Sequence, residues 1–281
     1  MTKIDDNTGV AFIGGGNMAR SLIGGLIARG AEAKTIRVAE PVEHLREALQ
    51  QDFDVRCFAT ATAAAAGAGV WLLAVKPQVM RSVCSELSAL ALAQRPVAIS
   101  IAAGITAKQL ARWLGGGGDG TIAVVRAMPN TPALLGAGIT GLFANATVDA
   151  GQREQAERLL GAVGPTVWIE DEAQMDAVTA VSGSGPAYVF LLAEAMQAAG
   201  EAQGLPADAA RALTAQTLLG AARMLVESAD AADVLRTRVT SPGGTTQAAI
   251  ETFEAGGFRA LVDRAVAAAT ERGRQLSAAN D

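Results

Sequence analysis

The chain has 281 residues, half of them hydrophobic, with 31 glycines, 4% aromatics and a net charge of -5. That length and apolar content suit two cores packed by alanine and small aliphatics, and the lack of a basic block argues against a nucleic-acid or anionic-membrane partner. His44 is the only histidine, and Cys57 and Cys84 form no CxxC pair, so no metal site is expected.

Residues 1–8 are polar and lack the apolar run of a signal peptide. The longest apolar stretches, such as 70–75 and 189–193, fall far short of the roughly 20 residues that span a bilayer. The expectation is a soluble, reduced, cytoplasmic protein. From residue 9 to about 169, β-branched runs alternate with alanine-rich amphipathic segments. Predicted strands are 10–13, 35–39, 70–75, 97–101, 122–126, 139–143 and 166–169, with helices at 18–29, 42–50 and 78–90 among those between them. Near-continuous apolar strands alternating with helices imply a mostly parallel sheet covered on both faces. The stretch 115–120 reads as a flexible loop.

After Glu170 the strand signal stops, and helices are predicted at 185–203, 206–228, 244–255 and 258–278. The second of these is apolar almost all round: Arg223 is its only charge between Leu213 and Val226. Such a helix should be buried on every side, which a bundle of this size rarely achieves alone, so a homodimer through this half is expected. In the last helix Phe258, Leu261, Val262, Ala265, Val266 and Ala269 recur on one face.

The segment GVAFIGGGNMARSL (residues 9–22) combines a strand, a tight turn and a helix start, with G-x-G-x-x-A at Gly14, Gly16 and Ala19. Gly14 permits the turn, Gly16 lets backbone approach a pyrophosphate, and Ala19 lets helix sit against strand. The helix N-terminus from Asn17 offers N–H groups to phosphates. Glu40 ends the second strand 24 positions after Gly16, where a ribose-hydroxyl acceptor belongs. The pattern predicts a doubly wound Rossmann domain at 1–171 and an all-α domain at 172–281. Ile13, Gly14, Gly15, Gly16, Asn17, Met18 and Glu40 are the candidate cofactor contacts on this first crossover. Glu40 favours the free 2′-OH of NADH over the phosphate of NADPH, while nearby Arg37 and Arg46 could compensate, so the nucleotide preference stays open.

Further segments exceed what a generic dinucleotide fold needs. AVKPQ (74–78), SIAAG (100–104) and RAMPNTP (126–132) follow strands, and the helical half carries VSGSGPAY (181–188) and TSPGGTT (240–246). In this order they resemble the pyrroline-5-carboxylate reductase family over essentially the whole chain. The resemblance implies NAD(P)H-dependent reduction of a cyclic imine to proline by a Rossmann domain joined to a helical dimerisation domain. It also implies that dimers often assemble further into a ring, as in a homodecamer. It implies that Ala74, Val75, Lys76 and Pro77 line the nicotinamide side, with Ile101, Ala102 and Ala103 nearby. Glu172, Val239, Ser241, Gly243, Gly244, Thr245 and Thr246 are implied as substrate contacts.

The TSPGGTT segment has its own logic. Glycines ahead of a helix expose N–H groups and the threonines add hydroxyl donors, together a cradle for a carboxylate; a simple helix cap is the alternative. Thr246 is the candidate to hydrogen-bond the ring nitrogen, and Glu172 to favour the iminium cation, unless it is only a first-turn acid. Lys76 reads as a cofactor contact or a strand-end charge, Asn130 as an ordering residue or a turn former. An imine can enter already protonated, which suits a chain whose one histidine looks solvated. A hydroxyacid dehydrogenase would need a lysine in the helical half, and none follows Lys108. A reductase of another cyclic imine and a non-catalytic nucleotide-binding regulator remain alternatives.

Overall fold

The computed structural model describes residues 9–117 and 122–279; the polar leader 1–8 and the second half of the 115–120 glycine loop lie outside the described residues. The chain divides into two compact units, 1–184 together with 268–281, and 185–267.

The first unit is built on eight strands: β1 Gly9–Ile13, β2 Ile36–Ala39, β3 Arg56–Phe58, β4 Ala68–Leu73, β5 Val97–Ser100, β6 Ala123–Met128, β7 Thr140–Ala144 and β8 Thr166–Trp168. Their spatial order is β3-β2-β1-β4-β5-β6-β7-β8. The chain steps outward from β1 to β3, then returns to place β4 on the other side of β1. That reversal makes a crevice at the carboxyl ends of β1 and β4, the usual ligand position in such sheets. Six strands run parallel, but β7 pairs antiparallel with β6. A parallel return needs a crossover helix, and the β6–β7 connection holds only a 3-10 turn, Thr131–Leu135.

Strand alternation sorts the core into two layers. Val10, Phe12, Val38, Leu72, Ile99 and Val125 face one side, where they meet Leu22 and Ile23 of α1 (Asn17–Ala28), Leu49 of α2 (Glu43–Phe53) and Leu159 of α6 (Ala150–Leu160). Ala11, Ile13, Trp71, Leu73 and Val124 face the other, against α3 (Ala61–Ala65), α4 (Pro77–Gln94) and α5 (Ala107–Leu114). Phe12, Trp71, Leu72, Leu73 and Ile99 are wholly buried, each contributing about 1.5–3 kcal/mol relative to exposure. The pattern gives no strand at β3 and sets no bounds for α3, α5 or α6. Two of those helices carry a local start signal. Thr106 with Gln109 at the start of α5, and Asp149 with Gln152 at the start of α6, form reciprocal capping boxes.

Within the first unit, α7 (Met175–Val178) runs into a π-helical turn, Thr179–Gly183. The second unit holds α8 (Gly185–Ala202), α9 (Ala207–Glu227), α10 (Ala232–Arg238) and α11 (Thr245–Ala255). The last helix, α12 (Phe258–Ala279), starts there and ends in the first unit. The expectation that α9 is buried on every side does not hold for one chain. Only Ala210 and Thr214 are buried, while Leu213, Leu219, Met224, Leu225 and Val226 are at least half exposed. Phe258, Leu261 and Val262 of α12 are exposed as well. A single copy supplies too few helices to cover these faces. No helix among the described residues is long and apolar enough to cross a membrane.

The α6 box offers a clean test of local stabilisation, because Asp149 is exposed and accepts from the Gln152 N–H at 2.8 Å. Asp149→Ala is expected to lower stability by about 1 kcal/mol, read as a shifted urea midpoint with an unchanged slope.

Candidate active site

The first crossover is held by backbone bonds across three strand ends. The Gly14 N–H donates to Ala39 O at 3.0 Å, and the Ala74 N–H donates to Ile13 O at 2.8 Å. Gly14 sits at φ +107°, and a Cβ there would lie 2.7 Å from Ala74 O, so only glycine fits. A Cβ on Gly16, by contrast, would meet nothing within 4 Å. Gly16 caps α1 without any side-chain hydrogen bond, so the first N–H groups of that helix face open space. This is the cradle a pyrophosphate needs, and the residues fit a dinucleotide. Asn17 is exposed and Met18 partly so, both at the mouth of the turn.

Glu40 follows β2 and is only 8% exposed. Its Oε1 accepts from the Val42 N–H at 3.1 Å, and Oε2 lies 3.3 Å from where a Gly15 Cβ would stand. The carboxylate therefore lies over the glycine turn. Ala74, Val75 and Pro77 are half-buried and Lys76 is exposed, at the start of α4, where Pro77 takes the first helical position. Beyond β5, Ser100 is buried and its Oγ accepts from the Ala102 N–H at 3.3 Å, shaping the 101–103 turn. Ile101 and Ala102 are partly exposed and Ala103 is exposed. All of these segments leave carboxyl ends of parallel strands, so the sheet gathers them on one edge.

Glu172 joins that edge through a buried charge. Its Oε1 accepts from Arg126 Nη1 at 2.8 Å and from the Ala107 N–H at 2.6 Å, at the start of α5. The Arg126 side chain is 7% exposed and that of Glu172 26%. Glu172 thus has one oxygen committed to structure, while the other has no partner among the described residues. It opens a 3-10 turn, Glu172–Gln174, and Asp171 is the residue that caps it. Asp176 stands close by. Burial pushes its carboxyl above the ordinary 3.8, and Glu172 adds to that push while Arg126 and Arg274 oppose it. Asn130 ties two motifs together: its Nδ2 donates to Ser182 O at 3.1 Å, and its Oδ1 accepts from the Ile139 N–H at 3.0 Å.

In the second unit, Val239 ends α10 and the 240–246 segment leads into α11. The glycine N–H groups here are already used. Gly243 N–H donates to Gln247 Oε1 at 2.7 Å, and Gly244 N–H to Ser241 O at 3.0 Å. Gly243, at φ +68°, makes the turn, and Gly244 caps α11 with no side-chain bond. The free donors are instead the N–H groups of Thr245, Thr246 and Gln247 and the two threonine hydroxyls, none of which has a partner among the described residues. Thr246 lies inside the helix, so it is not the cap. Ser241, Gly243 and Thr245 are exposed, as is Val239.

Elsewhere the side chains offer little chemistry. His44 is exposed in α2. Cys84 is fully buried, its thiol pushed up to about 12 by burial, and burial also raises Cys57. Among the described residues no group of three His, Cys, Asp or Glu is placed to hold a metal ion.

Comparison with known proteins decides between the possible families. Residues 172–276 match the family described as "Pyrroline-5-carboxylate reductase dimerisation", and residues 9–104 match "NADP oxidoreductase coenzyme F420-dependent". A pyrroline-5-carboxylate reductase of Pseudomonas aeruginosa is 52% identical over 95% of this chain and 96% of its own. The chain belongs to the pyrroline-5-carboxylate reductase family. A solved family structure from Coxiella burnetii shares 43% identity and covers 96% of this chain and 99% of that one, with a TM-score of 0.92. One from Plasmodium falciparum, solved with NADP bound, shares 26% identity over 97% of this chain and 99% of that one, with a TM-score of 0.82.

Sequence reading gives Arg126 no role of its own. The available signal was a cation inside an otherwise apolar strand, VVRAM at 124–128, which asks for a buried counter-charge. Glu172→Ala would leave that guanidinium unpaired and is expected to cost about 2–4 kcal/mol. Glu172→Gln, which keeps an acceptor for Arg126 and Ala107, should cost less than half as much in urea unfolding. Asp176 behaves oppositely. Its folded pKa lies above its unfolded one, so its contribution to stability is present at acid pH and lost as pH rises through the folded value. Asp176→Asn should therefore gain stability relative to the native chain as pH is raised from about 4 to 7, in paired thermal melts.

Proposed function

We propose that this chain reduces the C=N bond of 1-pyrroline-5-carboxylate to give L-proline, with NADPH or NADH as reductant. The observation that carries this reading is the unsatisfied donor set at the start of α11: three consecutive N–H groups and two threonine hydroxyls without partners. A helix N-terminus with free N–H groups favours an anion, and the substrate's carboxylate is one. Holding that carboxylate fixes which ring atom is presented for reaction, and such positioning is a large part of catalysis.

The reduced nicotinamide, when bound, supplies a hydride to the imine carbon. The protein's residues have lighter work than in ketone reduction. The imine nitrogen enters protonated, so reduction leaves a neutral secondary amine and no alkoxide needs an acid. Thr246 is assigned a hydrogen bond to that nitrogen. The free oxygen of Glu172 is assigned the electrostatic support of the cationic iminium, Arg126 and the Ala107 N–H holding the other oxygen in place. Ile13 to Met18 and Glu40 would hold the adenosine half of the cofactor, and Ala74 to Pro77 with Ile101 to Ala103 the nicotinamide half. Val239, Ser241, Gly243, Gly244 and Thr245 would shape the substrate loop. On this reading residues 1–171 serve the cofactor, 172–281 serve substrate and self-association, and the protein works in the cytoplasm as a homodimer, or as a ring of such dimers.

Turnover is tested by mixing purified protein with pyrroline-5-carboxylate and following loss of reduced nicotinamide absorbance. Thr246→Ala is expected to lower kcat/KM by about 10- to 100-fold, the value of one hydrogen bond to a charged group, with cofactor affinity unchanged. Cofactor binding without turnover in the native chain would sink the substrate assignment and direct the search to larger cyclic imines.

A further inference from the structure

We infer that Glu40 makes this chain selective for NADH, by accepting the free 2′-hydroxyl of its adenosine ribose and repelling the phosphate that NADPH carries there. The inference rests on the dinucleotide reading of the first unit and is independent of the imine chemistry.

Three observations support it. First, the carboxylate is placed. Glu40 follows directly on β2, is 8% exposed, and is tied by Oε1 to the Val42 N–H, which leaves Oε2 over the glycine turn. A carboxylate oxygen is acceptor-only. It suits a hydroxyl donor and has nothing to offer a phosphate, which brings about two negative charges of its own. Second, the carboxylate is not neutralised: among the described residues Glu40 forms no ion pair.

Third, the nearby cations are anchored to the backbone. Arg46 Nη1 donates to the carbonyl oxygens of Glu40 at 2.9 Å and Pro41 at 2.7 Å. Arg37 donates from Nε to Ala64 O at 2.6 Å and from Nη2 to Ala63 O at 2.7 Å, with its guanidinium 4.6 Å from the centre of the Phe58 ring. These bonds anchor Arg46 through Nη1 and Arg37 through Nε and Nη2, so turning either guanidinium squarely onto a 2′-phosphate would break backbone hydrogen bonds. Arg56 also lies on the Phe58 ring, 5.7 Å from its centre. Selectivity therefore comes from a repulsive group that is fixed and from attractive groups that are committed elsewhere.

The test measures binding rather than turnover, on the full-length protein, by calorimetry with NADH, NADPH, ADP-ribose and 2′-phospho-ADP-ribose. The last two lack nicotinamide, so they report the ribose subsite alone. The native chain is expected to bind NADH about tenfold or more tightly than NADPH, with the same order in the two fragments. Glu40→Gln keeps the side chain's size and an acceptor for Val42, and Glu40→Ser adds a small donor. Each should close the gap to about threefold or less, chiefly by tightening NADPH. Equal or tighter NADPH binding by the native chain would overturn the inference, as would a gap that persists in both variants. Selective NADH binding without reduction of pyrroline-5-carboxylate would sustain it while sinking the proposed function.

Discussion

The tight reversal between β1 and α1 is the constraint on which the rest of the first unit depends. Gly14 lies against the Ala74 carbonyl, at a separation no side chain tolerates, and its N–H is held by Ala39. Those contacts bring the ends of β2, β1 and β4 into one place. Glu40 is the residue after the first of these, and Ala74 to Pro77 follow the last. The geometry of one turn therefore sets both segments assigned to the proposed cofactor site. The two apolar layers, by comparison, contribute most of the stabilisation but would be satisfied by many sequences of similar volume.

A second, polar constraint governs the far side of the same edge. Arg126 is buried within an apolar strand, and its cost is offset only because Glu172 answers it and is itself bonded by the start of α5. That arrangement restrains Glu172 by a structural duty while leaving one oxygen available. Asn130 plays a similar part between the loop after β6 and the π-helical turn, joining two motifs that lie far apart in the chain. Polar groups here act by fixing position, and the same groups would be costly if left half paired.

Most of the first crossover was legible because its signals are local: a strand, three glycines, a helix start and an acid at the end of the next strand. The helical second half was equally plain from its apolar spacing. What escaped did so for identifiable reasons. β3 is three residues long and includes an arginine, too short for alternation to register. α5 and α6, of eight and eleven residues, span only about two to three turns, although their capping boxes mark where they start. The reversed direction of β7 leaves no trace in hydrophobic pattern, which is blind to strand polarity. The Arg126–Glu172 pair joins residues 46 apart, and nothing local announces it. In the TSPGGTT segment the N–H groups without partners among the described residues belong to 245–247 and not to the glycines, because Ser241 and Gln247 claim those first.

The path of the chain through the two units has a consequence for folding. The first unit includes residues 268–281, so the second unit, 185–267, is spliced into it at both ends. The tail packs there in earnest: Gly273 lies against the Asp176 carboxylate, and Gln109 Nε2 donates to Ser277 O at 3.5 Å. Docking that tail across a disordered insert would cost about 4 kcal/mol in loop-closure entropy. The first unit can therefore be completed only after the whole of 185–267 has been synthesised, so its last contacts come late in the making of the chain.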